Sequence, residues 1–149
     1  MDPVIQISNE ARMRLRSLGD EIIRFADEKK SILKSTLMSE AEKQGKIDSE
    51  KTSLRMYMDI VFGEGDGSIA EDIRRILAES GDSERAKAAA GVWHGEIPGL
   101  RRFVEYCAQM IEEDPGSPEA RKGGKCLIEA TEILNQIADR AERAAREQR

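Results

Sequence analysis

Apolar side chains recur at alternating steps of three and four residues along most of this chain, and that spacing limits the possible folds more than any other feature. Such spacing places the apolar side chains on one face of an α-helix. Aromatic residues make up only 4% of the chain and charged residues 36%, which is typical of amphipathic helices whose cores are built from Leu, Ile, Met and Ala. The sequence therefore predicts an all-α protein without sheet.

The length of the chain favours a single domain over the alternative of a two-part helical array. A chain of 149 residues can bury a core without disulfides or metal ions. We expect one helical-bundle domain over residues 1–149, an antiparallel bundle of five to six helices with long first and last helices. No internal repeat of fixed period is evident in the sequence, which argues against a solenoid.

The first helix is predicted to be unusually long. Ser8 can cap a helix that begins at Asn9, and the apolar stripe persists to about Gln44, where Gly45 supplies a stop signal. A helix of this length suits an elongated bundle. Its stripe consists of Ala11, Leu15, Leu18, Ile22, Phe25, Ile32 and Thr36.

Start signals predict the second and third helices. Asp48 or Ser49 opens the second, which ends in the glycine-rich loop 63–67. Ser68 and Glu71 then match a capping box, in which the serine caps the helix and the acid lies three residues beyond. The apolar residues expected to face inward from these two helices are Leu54, Tyr57, Met58, Val61, Phe62, Ile69, Ile73, Ile76 and Leu77.

Three more helices are predicted in the second half. Asp82 or Ser83 opens an Ala-rich fourth helix, and Gly95 with Pro98 breaks the chain before a fifth. Residues 117–118 supply a serine cap and a first-turn proline for the last helix. The expected inward residues are Ala86, Ala89, Ala90, Trp93, Leu100, Phe103, Val104, Cys107, Met110, Ile111, Leu127, Ala130, Leu134, Ile137, Ala141 and Ala144.

Two adjacent glycines interrupt the last predicted helix. Each of Gly123 and Gly124 costs about 1 kcal/mol against Ala in a helix interior, so we expect a fray, a kink or a close helix contact there.

The regular spacing of helix start and stop signals in the second half also matches the style of an engineered bundle. Both a natural and an engineered origin stay open.

Residues 11–22 carry the one motif that points toward a named kind of partner. This segment resembles the death-motif helix, the third homology region, of pro-apoptotic Bcl-family proteins. In that family the helix docks in an apolar groove of pro-survival relatives. The positions that carry the resemblance are Ala11, Leu15, Leu18, Gly19, Asp20 and Ile22.

The resemblance implies a role for each position. Leu15 would be the central anchor, with Leu18 and Ile22 filling the next apolar pockets. Gly19 would allow close approach to the partner backbone, and Asp20 would pair with an arginine at the groove rim. At position 11 the family has a larger apolar side chain than the alanine found here.

One apolar stripe cannot face both a bundle core and an external groove. If the stripe over residues 11–22 binds a partner, the core must draw on the neighbouring face of the same helix, which consists of Met13, Ile23, Ala26, Leu33 and Leu37. The alternative is a helical adaptor or regulatory subunit whose interface lies elsewhere and whose residues 11–22 lie in its own core.

Charge and hydropathy argue against other partners. The formal net charge is −5, whereas general affinity for nucleic acid rests on clustered Lys and Arg. The longest apolar run is far short of the ~20 residues that cross a bilayer, and the N-terminus has no basic region followed by an apolar stretch. We expect a cytoplasmic protein without a membrane or nucleic-acid partner.

The sequence offers no convincing catalytic or metal site. His94 is the one histidine, and nothing fixes it beside Glu96, Glu105 or Cys107 as a base–nucleophile set. Paired Glu-x-x-His motifs, calcium loops and phosphate loops are missing from the sequence. Cys107 and Cys126 lack Cys-x-x-Cys spacing and are expected to be reduced thiols. We expect neither enzymatic activity nor a cofactor.

Overall fold

A computed structural model describes residues 5–63, 65, 67–81 and 83–148. Within those residues the chain forms five α-helices and no strand, which confirms the all-α prediction. The helices are α1 (Asn9–Lys34), α2 (Glu40–Phe62), α3 (Ile69–Ser80), α4 (Glu84–Glu113) and α5 (Pro118–Arg146). None of the helices in these ranges is long and apolar enough to cross a membrane. Glu64 and Asp66 of the predicted loop, and the alternative cap Asp82, lie outside the described residues.

Each helix begins directly after a serine. In every case the serine hydroxyl oxygen accepts a hydrogen bond from the backbone N–H three residues later, which satisfies one of the unpaired donors at a helix start. Three of these caps were predicted from the sequence, Ser83 was predicted as an alternative to Asp82, and the cap of α2 was not predicted. The five serines are Ser8, Ser39, Ser68, Ser83 and Ser117.

The prediction of one helix from Asn9 to about Gln44 was wrong. α1 ends at Lys34, and α2 begins after Ser39 and continues through Gly45. The Ser39 hydroxyl accepts from the Glu42 N–H at 3.1 Å and lies 3.3 Å from the Glu42 carboxylate. This local capping outweighs the continuing apolar stripe. The first helix is consequently shorter, at 26 residues, than α4 with 30 and α5 with 29.

The predicted break at Gly95 and Pro98 is also absent. α4 runs without interruption from Glu84 to Glu113 with Pro98 inside it. A proline within a helix leaves the carbonyl four residues earlier, here that of His94, without its usual donor. Because His94 and Pro98 are both exposed, water can replace the missing donor. The described residues 84–113 therefore form one helix where two were predicted.

The core draws on all five helices. Trp93 is fully buried in it, and its indole N–H donates to the Ile5 carbonyl at 3.0 Å. The most extensive helix contact is between α4 and α5. Leu77, predicted to face inward, is 47% exposed, because Ile73 and Ile76 already occupy the inward face of the short α3.

A buried carboxylate connects α3 to the start of α1. Asp72 is 4% exposed and accepts hydrogen bonds from the Ser8 N–H at 2.9 Å and the Ser8 hydroxyl at 2.6 Å. Its other oxygen lies 3.4 Å from the Arg75 guanidinium. Asp72 therefore holds the residue that caps α1, and it does so from a separate helix.

Replacing Asp72 with alanine is expected to lower the free energy of unfolding by about 2–3 kcal/mol. The substitution leaves the Ser8 N–H and hydroxyl without their acceptor in a partly buried place, and hydrogen bonds to charged groups are worth more than neutral ones. Chemical denaturation measures the change. Glu79→Ala, at an exposed position of the same helix, is the control and should shift stability by less than about 0.5 kcal/mol. Equal effects of the two substitutions would contradict the role of Asp72.

Candidate functional site

The predicted anchor residues lie in the bundle core. Leu18 and Ile22 are fully buried, Ala11 is 1% exposed and Leu15 is 4% exposed. Of the five residues that would have to form the core in a groove-binding α1, Ala26 packs against the core, whereas the other four are exposed, Met13 by 67%. In this arrangement the death-motif stripe can reach a partner only if α1 separates from the bundle.

Separation of α1 would be costly. Burial of a Leu or Ile side chain contributes about 1.5–3 kcal/mol, so exposing Leu15, Leu18 and Ile22 together costs roughly 5–9 kcal/mol. Since 1.4 kcal/mol is a factor of ten, an affinity that required this opening would be weakened by roughly 10³- to 10⁶-fold. Partner binding by the stripe stays a prediction, and the free energy needed to expose its side chains opposes that binding.

Two residues of the motif, Gly19 and Asp20, lie at the surface rather than in the core. Gly19 is half-buried and Asp20 exposed, and both line an open groove of about 460 Å³ between α1 and α5. Leu15 and Val104 also contribute to the groove. We call this surface the α1–α5 groove. It is lined by Leu15, Arg16, Gly19, Asp20 and Ile23 of α1, Val104 of α4, and Leu127, Ile128, Ala130, Thr131 and Glu132 of α5.

The groove is apolar and open. Ile23 on α1 is 43% exposed and Ile128 on α5 is 71% exposed, and both line the same groove. A Cβ atom added at Gly19 would meet nothing within 4 Å, so the missing side chain leaves free space. Apolar surface is therefore available to a ligand without rearrangement of the core.

The charged groups of the groove are favourably placed to contact a ligand. Arg16, Asp20 and Glu132 are exposed, and among the described residues none of the three forms a salt bridge. Two carboxylates against one guanidinium give the groove a negative charge, in keeping with the acidic chain.

The sequence pattern contains a signal for this groove that the stripe analysis missed. Ile23 directly follows the buried Ile22, and Ile128 directly follows the buried Leu127. Adjacent positions on a helix differ by about 100° in direction, so only one member of each apolar pair can face the core. The second member of each pair faces the groove.

The residues considered for catalysis are not assembled into a site. His94 is exposed and lines a cleft between α3 and α4 that Arg74 and Arg101 also line, whereas Cys107 is buried. Glu96 pairs with Arg140 at 2.6 Å. In the part of the chain that the structure describes, no group of three His, Cys, Asp or Glu residues could hold a metal ion.

Glu105 is likewise engaged elsewhere, because its carboxylate accepts from the Arg101 guanidinium at 2.9 Å. Arg101 also contacts Asp59 of α2 at 3.2 Å. These pairs are largely exposed and therefore contribute little to stability.

Comparison of the chain with protein families, curated proteins and solved structures found no match.

Proposed function

We propose that this protein is a cytoplasmic helical adaptor or regulatory subunit, an antiparallel bundle that binds a partner protein through the α1–α5 groove. Residues 11–22 then serve mainly as core, with Gly19 and Asp20 at the edge of the interface. The observation that carries the proposal is the pair of exposed isoleucines, Ile23 and Ile128, on opposite walls of an open groove.

The shape of the groove fits an amphipathic helix. Two helices form its walls, and apolar side chains lie along both, which is the arrangement that accepts a third helix by its apolar face. Full burial of an exposed Ile side chain contributes about 1.5–3 kcal/mol, and covering Ile128, at 71% exposure, would gain more of this than covering Ile23, at 43%. Gly19 allows the docked backbone to come close to α1.

The charge of the groove favours a basic partner helix. Lysines or arginines flanking the apolar stripe of that helix could approach Asp20 and Glu132, while an acid could pair with Arg16. Complementary charge mainly raises the association rate and the specificity. Binding is therefore expected to weaken with added salt, because exposed charges are screened over about 8–10 Å at physiological ionic strength.

A peptide titration tests this proposal. The probe is a fluorescent synthetic amphipathic helix with a leucine stripe and lysines on the flanks, and the readout is fluorescence anisotropy. Ile128→Glu is expected to weaken binding at least tenfold, since it removes apolar area and adds a third carboxylate. Ile60→Glu, which changes a half-exposed isoleucine of α2 outside the groove, is the control and should leave binding unchanged.

The same titration can contradict the proposal. Equal losses in Ile128→Glu and Ile60→Glu would mean that the peptide binds the protein nonspecifically. Gly19→Phe offers a second check, because it adds a side chain where nothing lies within 4 Å and should block the groove while the bundle stays folded. Undiminished binding by Gly19→Phe would remove the groove as the interface.

A further inference from the structure

The tight contact between α4 and α5 brings the two cysteines of the chain to the same place. A Cβ atom added at Gly123 would lie only 2.8 Å from the Cys107 carbonyl oxygen and 2.9 Å from the Ile111 side chain, so the two backbones nearly touch there. Cys126 lies three residues beyond Gly123, on the same side of α5. This proximity does not follow from the Cys spacing in the sequence.

The side-chain directions bring the thiols toward each other. The turn at residues 114–117 folds α5 back along α4, as the contact of Gly123 with Cys107 requires. Side chains on a helix lean toward its N-terminus, so Cys107 leans away from Ile111 and toward the turn of α5 that carries Cys126. Cys107 is buried and Cys126 half-buried, and both are free thiols.

We propose that Cys107 and Cys126 form an oxidative modification site, at which a small disulfide such as glutathione disulfide links them by an intramolecular disulfide bond. The bond would join α4 to α5 about one helical turn from the close contact of Gly123 with the Cys107 carbonyl, and a disulfide needs such close helices because its cysteine Cα atoms lie only about 4–7 Å apart.

The reaction is a two-step thiol–disulfide exchange. The half-exposed Cys126 thiol loses its proton to water, and its sulfur attacks glutathione disulfide, forming a mixed disulfide and releasing one glutathione thiolate. The Cys107 thiol then loses its proton and attacks the Cys126 sulfur, which expels the second glutathione. The two cysteines lose two electrons and two protons in total, and glutathione disulfide is reduced to two glutathione molecules.

Burial sets the order of the two steps. Burial, the largest cause, and the adjacent Cys126 together raise the pKa of the Cys107 thiol to about 12. The thiolate is the reactive form, so the accessible Cys126 reacts first and Cys107 second. Once Cys126 is in the mixed disulfide, it can no longer carry the charge that opposes ionisation of Cys107.

The test is incubation of the folded protein with glutathione disulfide, followed by intact mass measurement and peptide mapping without reductant. We expect both free thiols to be lost, the mass to fall by two hydrogen atoms, and one linked peptide pair to contain Cys107 and Cys126. The cross-linked protein should melt higher by roughly 5–10 °C, because the bond closes a loop of about 20 residues in the unfolded chain.

Two variants identify the order and the pairing. Cys107→Ala should stop at a glutathione adduct on Cys126, whereas Cys126→Ala should show no reaction while folded. A persistent adduct on Cys126 of the unsubstituted protein, a disulfide between two molecules, or two unreacted thiols would each overturn the proposal. If Cys107→Ala fails to fold, peptide mapping of the unsubstituted protein still decides the outcome.

Discussion

Leu15→Glu is expected to unfold the protein at room temperature. Leu15 is 4% exposed, so the substitution forfeits about 1.5–3 kcal/mol of apolar burial and adds the larger cost of an unpaired carboxylate in the core. Natural domains are stable by only about 5–15 kcal/mol in total. Far-UV circular dichroism and thermal melting should show the loss of helix and of the cooperative transition.

The matched control is Met13→Glu, on the same helix two residues earlier. Met13 is 67% exposed, so a glutamate there remains solvated and the melting temperature should change by no more than a few degrees. A folded Leu15→Glu variant with the melting temperature of the unsubstituted protein would show that the stripe is not in the core.

Alanine substitutions at two neighbouring glycines of α5 are expected to change the free energy of unfolding in opposite directions. Gly123→Ala should lower the free energy of unfolding by about 1–3 kcal/mol, because its Cβ would lie 2.8 Å from the Cys107 carbonyl oxygen, an atom of the rigid helix backbone. A helix-propensity gain of about 1 kcal/mol does not offset that overlap.

Gly124→Ala should raise the free energy of unfolding by about 0.5–1 kcal/mol. A Cβ atom at Gly124 meets nothing within 4 Å, so only the better helix propensity of alanine remains. Chemical denaturation of both variants, with unchanged m-values, measures the contrast. Stabilisation by both substitutions would contradict the close contact between α4 and α5.

Local signals in the sequence were sufficient for most of the helices. Caps at Ser8, Ser68 and Ser117, a cap at Asp82 or Ser83, and the three-and-four spacing predicted four of the five helix starts. The start of α2 was missed, although Ser39 and Glu42 form the same capping pattern as Ser68 and Glu71, because the continuing apolar stripe was given more weight. Pro98 was taken as a break, whereas its position on the exposed side of α4 makes the lost hydrogen bond tolerable.

The direction of the α1 stripe was beyond the reach of sequence alone. Leu15, Leu18 and Ile22 have the spacing required both of a core face and of a groove-binding helix, since both bury the same apolar stripe. The choice depends on which elements pack against α1, a long-range property of the fold. Paired apolar residues such as Leu127 and Ile128 were the one local sign of a second apolar surface.

The sequence predicted the close contact between Gly123 and Cys107 only in general terms. A close helix contact was one of three outcomes expected from the glycine pair, and the structure shows that contact at Gly123 alone. Neither the partner residue nor the distinct environment of Gly124 follows from the pattern, because both depend on how α5 is rotated against α4.

Titration of the folded protein against a panel of pro-survival Bcl-family groove proteins tests the central claim, that the residue 11–22 stripe belongs to the core. Because binding would have to supply the roughly 5–9 kcal/mol needed to expose Leu15, Leu18 and Ile22, we predict no submicromolar affinity. Submicromolar binding that Leu15→Glu abolishes, by a variant that remains folded, would contradict the account and assign the stripe to the interface.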